Sequence, residues 1–97
     1  MAYGKRYKSG VYYITSLYND KIYIGSSKSI NSRIKIHARL LRNDIHPNKR
    51  MQEDYNICSK GFEWGILEYT DDYKVRERYY INLLDATNPA FGYNSNQ

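Results

Sequence analysis

The chain has 97 residues, with 15 Lys+Arg against 10 Asp+Glu for a formal net charge of +5, and 41% of its residues are hydrophobic. That is room for one small packed domain and argues against wholesale disorder. A single cysteine, Cys58, excludes an internal disulfide and a Cys-rich zinc framework. No stretch approaches the roughly 18 apolar residues of a membrane helix, and the N-terminus MAYGKRYKSG lacks the apolar core of a secretion signal, so a soluble, intracellular, cytoplasmic chain is expected.

Residues 1–9 are polar and basic and read as a flexible N-terminal segment ahead of a single domain over residues 10–97. Gly10 to Thr15 (GVYYIT) is β-branched and aromatic and predicts a strand. Tyr18-Asn19-Asp20-Lys21 is a turn signal, and Lys21 to Gly25 (KIYIG) predicts the returning strand of a hairpin. Ser29 is placed to cap a helix from Ile30 to about Asn43. At about 100° per residue, its Ile30, Ile34 and Leu41 fall within about 40° of one another and define a core face. His46-Pro47 breaks the chain. A second helix carries Met51, Tyr55 and Cys58 at i, i+4 and i+7, with Gly61 as its stop. Phe62, Trp64 and Ile66 alternate with their neighbours and predict a third strand. Asp71 or Asp72 then caps a last helix to about Asp85, and the tail NPAFGYNSNQ reads as irregular. The fold class is α/β of the α+β kind, a three-stranded sheet covered by helices in the order β-β-α-α-β-α.

Charge is uneven along this order. Residues 1–50 hold 11 basic and 2 acidic side chains, and residues 51–97 hold 4 and 8. A half-chain of that sign suits a polyanion, because Lys and Arg contacts to phosphates release condensed counterions. Lys21, Lys28, Lys35 and Arg39 are the candidate DNA contacts in it. A mild basic bias is also common among small proteins that bind no nucleic acid.

Twelve of the aromatic residues are tyrosines. Tyr12 and Tyr23 lie one on each strand of the hairpin; on a shared face they bring two phenols together, and otherwise they are ordinary strand aromatics. Tyr13, on the opposite face from Tyr12, and Tyr18, in the turn, serve as controls. Arg33 and His37 are one helical turn apart, at about −60° and −20° from Ile30, on the rim of the apolar arc. They form either a phosphate-holding pair or a snorkelling arginine beside a half-buried histidine. Glu77 falls in a stripe made by Tyr73, Tyr80, Ile81 and Leu84, where an acid is costly unless a cation or metal satisfies it. Lys74, at i−3, offers a plain ion pair instead, and Arg76 and Arg78 are expected to point elsewhere on the helix. Asn94, in Gly92-Tyr93-Asn94, fits a simple turn residue. His37, His46 and Cys58 match no zinc spacing, and neither a Gly-rich phosphate loop nor a Ser-His-Asp signature is present.

Taken together, these positions resemble the GIY-YIG endonuclease family. Gly10-Val11-Tyr12 matches the first tripeptide with Val for the usual Ile, and Tyr23-Ile24-Gly25 matches the second in full. Arg33 follows eight residues after Gly25, and His37 four later. Arg76-Glu77 matches the segment with the metal-binding glutamate, and Gly92-Tyr93-Asn94 the closing asparagine motif. The likeness covers roughly residues 9–95. The pairing of His37 with His46 looks most like the catalytic domains of phage and intron-encoded homing endonucleases.

The resemblance implies an antiparallel sheet, one Mg²⁺ or Mn²⁺ ion held by Glu77, and hydrolysis of DNA one strand at a time. It implies Tyr12 as general base, with its phenol lowered by nearby positive charge, and Arg33 at the phosphate. Tyr23 and His37 would orient the water or relay its proton, with His46 and Asn94 in support. A separate DNA-binding module, or a dimer for double-strand cleavage, would be the partner, in a phage or mobile-element setting. Two other classes compete: a non-catalytic nucleic-acid-binding module on the same fold, and a protein-interaction domain using exposed tyrosines, whose binding would depend little on salt.

Overall fold

Side chains alternate between two faces along the first hairpin, and that alternation builds two packed layers. A computed structural model describes residues 8–95. Strand β1 (Gly10–Ser16) pairs antiparallel with β2 (Ile22–Ser27), Tyr12 opposite Gly25, and on its other side with β3 (Phe62–Tyr69). The sheet order is therefore β2-β1-β3. Helices α1 (Ile30–Arg42), α2 (Lys49–Ile57) and α3 (Tyr73–Leu83) complete the order β-β-α-α-β-α, with a short 3-10 turn over Ser59–Gly61. No helix of the described residues is long and apolar enough to cross a membrane.

On one face, Tyr12 and Ile14 pack with Ile30, Ile34 and Leu41 of α1, Met51 of α2 and Tyr93 of the tail, and Tyr23 joins them from β2. On the other, Val11 and Ile24 pack with Ile81 and Ala86, with Tyr13 and Leu67 at their margin. The predicted core face of α1 is thus the buried one, and Tyr12 and Tyr23 do share a face. Tyr13 lies on the opposite side, and Tyr18 is exposed in the turn.

Each of the two central tyrosines lies over a glycine on a neighbouring strand. A Cβ on Gly25 would collide with the Tyr12 ring and hydroxyl, and a Cβ on Gly65 with Tyr13. Between Val11 and Tyr12 the pairing with β3 slips from Glu68 to Ile66, which makes Leu67 the extra residue of a β-bulge.

Local details differ from the sequence reading. Ser29 occupies the N-cap of α1 but makes no capping bond; its hydroxyl turns to Ser32 Oγ at 3.2 Å. Asp72 at the head of α3 also makes none. The side-chain cap that does form is at α2, where Asn48 Oδ1 accepts from the Met51 amide at 3.0 Å. Helix α2 ends at Ile57, so Gly61 closes the 3-10 turn and is not its stop. Helix α3 ends at Leu83, just before Asp85 takes a positive φ of 53°. Trp64 stays 46% exposed in an open groove with Ile34 and Ala38, while Phe62 and Ile66 pack inward.

The expected flexible segment, residues 1–9, lies outside the described residues except at its end. There Lys8 and Ser9 are tied down: the Ile30 amide donates to Lys8 O at 3.1 Å, and the Thr70 amide to Ser9 O at 3.0 Å. The tail forms no helix or strand, as expected, but it is pinned to β2. Ile22 N donates to Phe91 O (3.1 Å), Tyr93 N donates to Ile22 O (2.9 Å), and Asn94 grips Ile24 through both halves of its amide, at 2.9 and 3.0 Å.

Candidate active site

A cleft of about 490 Å³ runs alongside β2. Tyr23 comes from β2, Arg33 and His37 from α1, and Lys74, Glu77 and Arg78 from α3, with His46, Asn48 and Asn94 closing one end. The hairpin brings Tyr23 beside Tyr12, and one turn of α1 carries Arg33 and His37 to the same place. Tyr12 itself is 1% exposed and reaches the wall through His37, its Oη 2.8 Å from His37 Nε2.

Behind His37 the polar contacts continue inward. His37 Nδ1 is 2.8 Å from His46 Nε2, and the two rings stack at 5.0 Å. The Asn48 amide donates to His46 Nδ1 at 2.9 Å, and the His46 amide donates to Gln52 Oε1 at 3.0 Å. Among the described residues, no buried side-chain polar atom lacks a partner.

Electrostatics in the cleft follow from burial. Desolvation holds His37 down to about 4, with His46 and then Arg33 acting in the same direction, and it lowers His46 as well. Burial also raises both phenols. For Tyr12 the Tyr23 phenol adds to the rise, Arg33 opposes it and Glu77 adds again; for Tyr23, Glu77 adds and Arg33 opposes. The lowered Tyr12 phenol expected of a general base is therefore not a property of the resting polypeptide: loss of solvation outweighs the guanidinium.

Glu77 projects into the cleft from the middle of α3, and its Oε1 accepts a hydrogen bond from Ser26 Oγ. It does not pair with Lys74; among the described residues the ion pair within 4 Å is Arg76 with Glu68, at 2.8 Å. No cluster of three or more His, Cys, Asp or Glu suited to a metal occurs there either. One carboxylate in an open polar cleft does not suit zinc. It does suit a hard cation such as Mg²⁺, which keeps most of its waters and takes one or two carboxylates.

Residues 8–94 match the GIY-YIG catalytic domain family. The chain belongs to the GIY-YIG family. It is 35% identical over 83 residues to intron-associated endonuclease 1 of Enterobacteria phage T4, an alignment covering 81% of this chain and 34% of that protein. The chain thus spans about a third of the curated relative it matches. Among solved structures it resembles the catalytic domain of homing endonuclease I-TevI, with a TM-score of 0.81 and 33% identity over 93% of this chain and 100% of that one. A mutant of the catalytic domain of intron endonuclease I-TevI gives a TM-score of 0.80 at 33% identity, covering 91% and 93%. The fold is that of the GIY-YIG catalytic domain.

Within this GIY-YIG domain, Tyr23, Arg33, His37, His46, Glu77 and Asn94 line one cleft, and Tyr12 is joined to it by hydrogen bond. Asn94 is 7% exposed and acts on the backbone of Ile24, between the cleft's Tyr23 and Gly25. The four candidate DNA contacts do not line the cleft: Lys21 is in the hairpin turn, Lys28 precedes α1, and Lys35 and Arg39 are exposed on α1. Its cations are Arg33, Lys74 and Arg78. Arg76 points away, as expected, and stacks at 4.2 Å over Tyr79. Arg78, expected to point away too, lies in the cleft wall, four residues after Lys74 and three before Ile81 on the same face of α3. Ser26, Asn48 and Gln52 are the other partners that the sequence did not single out. The N-cap preference of Asn48 ahead of α2 was the one available signal.

The buried histidines predict how stability depends on pH. His37 ordinarily titrates near 6.5 and is held to about 4 in the fold, so between these values unfolding takes up a proton. The contribution is therefore complete above pH 6.5 and is lost as pH falls through 4, up to about 3 kcal/mol at 1.36 kcal/mol per unit. His46 acts with the same sign. Urea midpoints should stay level from pH 7.5 to about pH 6.5 and then fall towards pH 4.5; a midpoint that stays level throughout would mean that His37 charges freely inside the fold.

Proposed function

We propose that the domain is the catalytic part of a DNA endonuclease of the homing type, hydrolysing phosphodiester bonds one strand at a time in the cleft beside β2. The observation that carries this reading is the meeting of a guanidinium, a carboxylate and a phenol in the wall of one open cleft, with a second, buried phenol joined to it through His37 and two further cations in the wall. The planar fork of Arg33 matches two phosphate oxygens and offsets the charge that builds as water adds to phosphorus. Tyr12 is the candidate acceptor of the water's proton, with Tyr23 orienting the water, His37 bonded to the Tyr12 hydroxyl and Asn94 holding the β2 backbone beneath them. Lys74 and Arg78 flank Glu77 along α3 and would hold neighbouring phosphates. Glu77 would hold one divalent ion, Mg²⁺ or Mn²⁺; when bound, such an ion supplies positive charge at the phosphate and the leaving 3′-oxygen.

One such constellation serves one strand, so cutting both calls for a second copy or a second visit. Targeting by a separate DNA-binding module fits a relative of which the matched region is about a third. The phage relative supports a phage- or mobile-element-encoded enzyme acting inside the cell.

Nicking of supercoiled plasmid by the folded domain should require Mg²⁺ or Mn²⁺ and stop with EDTA. A folded domain that retards DNA at low salt but never nicks it would favour the non-catalytic binding module. Retardation that ignores salt would remove the polyanion reading itself.

A further inference from the structure

The Tyr12–His37–His46–Asn48 row has a direction that one backbone amide fixes. We infer that His37 donates its Nε2 proton to Tyr12 Oη instead of accepting the tyrosine's proton, which makes His37, His46 and the Asn48 amide the device that holds the phenol oxygen. The inference rests on the reading of the cleft as a nuclease site.

An amide N–H can only donate. The Asn48 amide lies 2.9 Å from His46 Nδ1, so that nitrogen is bare and the neutral ring carries its proton on Nε2. That proton points at His37 Nδ1, 2.8 Å away, so His37 Nδ1 is bare in turn. The remaining His37 proton sits on Nε2, 2.8 Å from Tyr12 Oη. Reversing any step sets two N–H groups against each other in a place where both rings are almost fully buried, at 3% and 7% exposed. A proton added to His46 Nδ1 would meet the Asn48 amide in the same way. Burial holds both rings below their ordinary values, which keeps them neutral and the direction intact.

The anchor is rigid. Asn48 Oδ1 caps α2 through the Met51 amide at 3.0 Å, and its Nδ2 donates to Tyr93 O at 2.6 Å. His46 is held from the other side by Gln52, whose Nε2 donates to Leu41 O at 3.0 Å. The Tyr12 hydroxyl proton must therefore turn away from His37. When the phenol gives that proton to water in the cleft, leaving a phenolate able to take the attacking water's proton, the oxygen gains charge and the His37 N–H bond to it strengthens in place. His37 is a positioning residue on this account, and its basicity is not used.

Two measurements test the inference. Two-bond ¹H–¹⁵N correlation spectra of the wild-type domain, free of DNA and metal, should show both rings with a protonated Nε2 and a bare Nδ1. A His37 ring with its proton on Nδ1 overturns the inference whether or not the domain cuts DNA. In plasmid nicking, His37→Ala removes a preorganised donor and should slow turnover by roughly 10²–10³-fold. His37→Gln, whose amide can donate at the Nε2 position but cannot take up a proton, should recover to within about tenfold of wild type. A folded His37→Gln as slow as His37→Ala would show that His37 works as a base. If the wild type cuts nothing, the nuclease reading fails, and the spectra still decide the direction of the row.

Discussion

Glu77→Ala is expected to leave a folded domain that holds DNA at least as tightly as the parent and nicks it slower by roughly 10³-fold or more. Glu77 is the one carboxylate among the described residues lining the cleft, and its wall also carries Arg33, Lys74 and Arg78. Removing it takes away the only hard anionic oxygen there able to hold a divalent ion. It also makes the cleft more positive, so affinity for a polyanion should rise or stay level while the rate falls. The structural loss is small. Glu77 is half-buried, alanine suits a helix interior, and the bond given up is the one from Ser26 Oγ, worth about 1 kcal/mol. Nicking rates, band shifts in EDTA and thermal melts separate the three effects. A rate within tenfold of the parent would take Glu77 out of the site.

Gly25→Ala should cost the domain both stability and activity. In the paired strands Gly25 lies directly opposite Tyr12, and an added Cβ would fall inside the Tyr12 ring and hydroxyl. Tyr12 has nowhere to go: it is 1% exposed, packed against the α1 core residues and bonded to His37. Overpacking of this kind costs about 1–3 kcal/mol, which in a chain of this size lowers Tm by several degrees at the least. The same displacement pulls the phenol oxygen off His37 Nε2, and an ångström of misplacement at a reacting group can cost about 10²-fold. Gly65→Ala is the matched control, since it crowds Tyr13 on the opposite face. It should lower Tm comparably while the surviving folded fraction nicks normally. Equal loss of specific activity in both variants would mean that general loosening, not the position of Tyr12, is responsible.

What could be read in advance followed local periodicity. The hairpin announced itself through β-branched and aromatic runs around an Asn-Asp turn, and the 3.6-residue repeat picked out the buried face of α1, with His37 on its rim. Tyr12, Tyr23, Arg33, His37 and Glu77 stood out by strand placement and helical spacing, the resemblance to the GIY-YIG family supplied their roles, and the structure brings them to one cleft or its wall. What stayed hidden depends on register and on contacts between distant segments. The use of Gly25 as a floor for Tyr12 requires knowing that the two face each other across strands. Ser26 reaching Glu77, and Gln52 reaching the His46 amide, are side-chain meetings that no spacing encodes. The direction of the Tyr12 shift was also out of reach, because the guanidinium is visible in the sequence and the depth of burial is not. At Ser29 and Asp72, residues suited to capping occupy the N-caps without making the bond, which shows that cap preference locates a helix start more reliably than its hydrogen bonds.

The tail that runs beside β2 does more than deliver Asn94. Its exchange of main-chain bonds with Ile22, and the double grip of Asn94 on Ile24, occupy groups that an outer strand otherwise offers to any extended peptide. The segment it covers, IYIGSS, is short, β-prone and uncharged. A chain that lost the tail would therefore lose more than one supporting amide: it would present an adhesive edge on the very strand that carries Tyr23. The closing motif thus acts as a guard against self-association as well as a strut for the site.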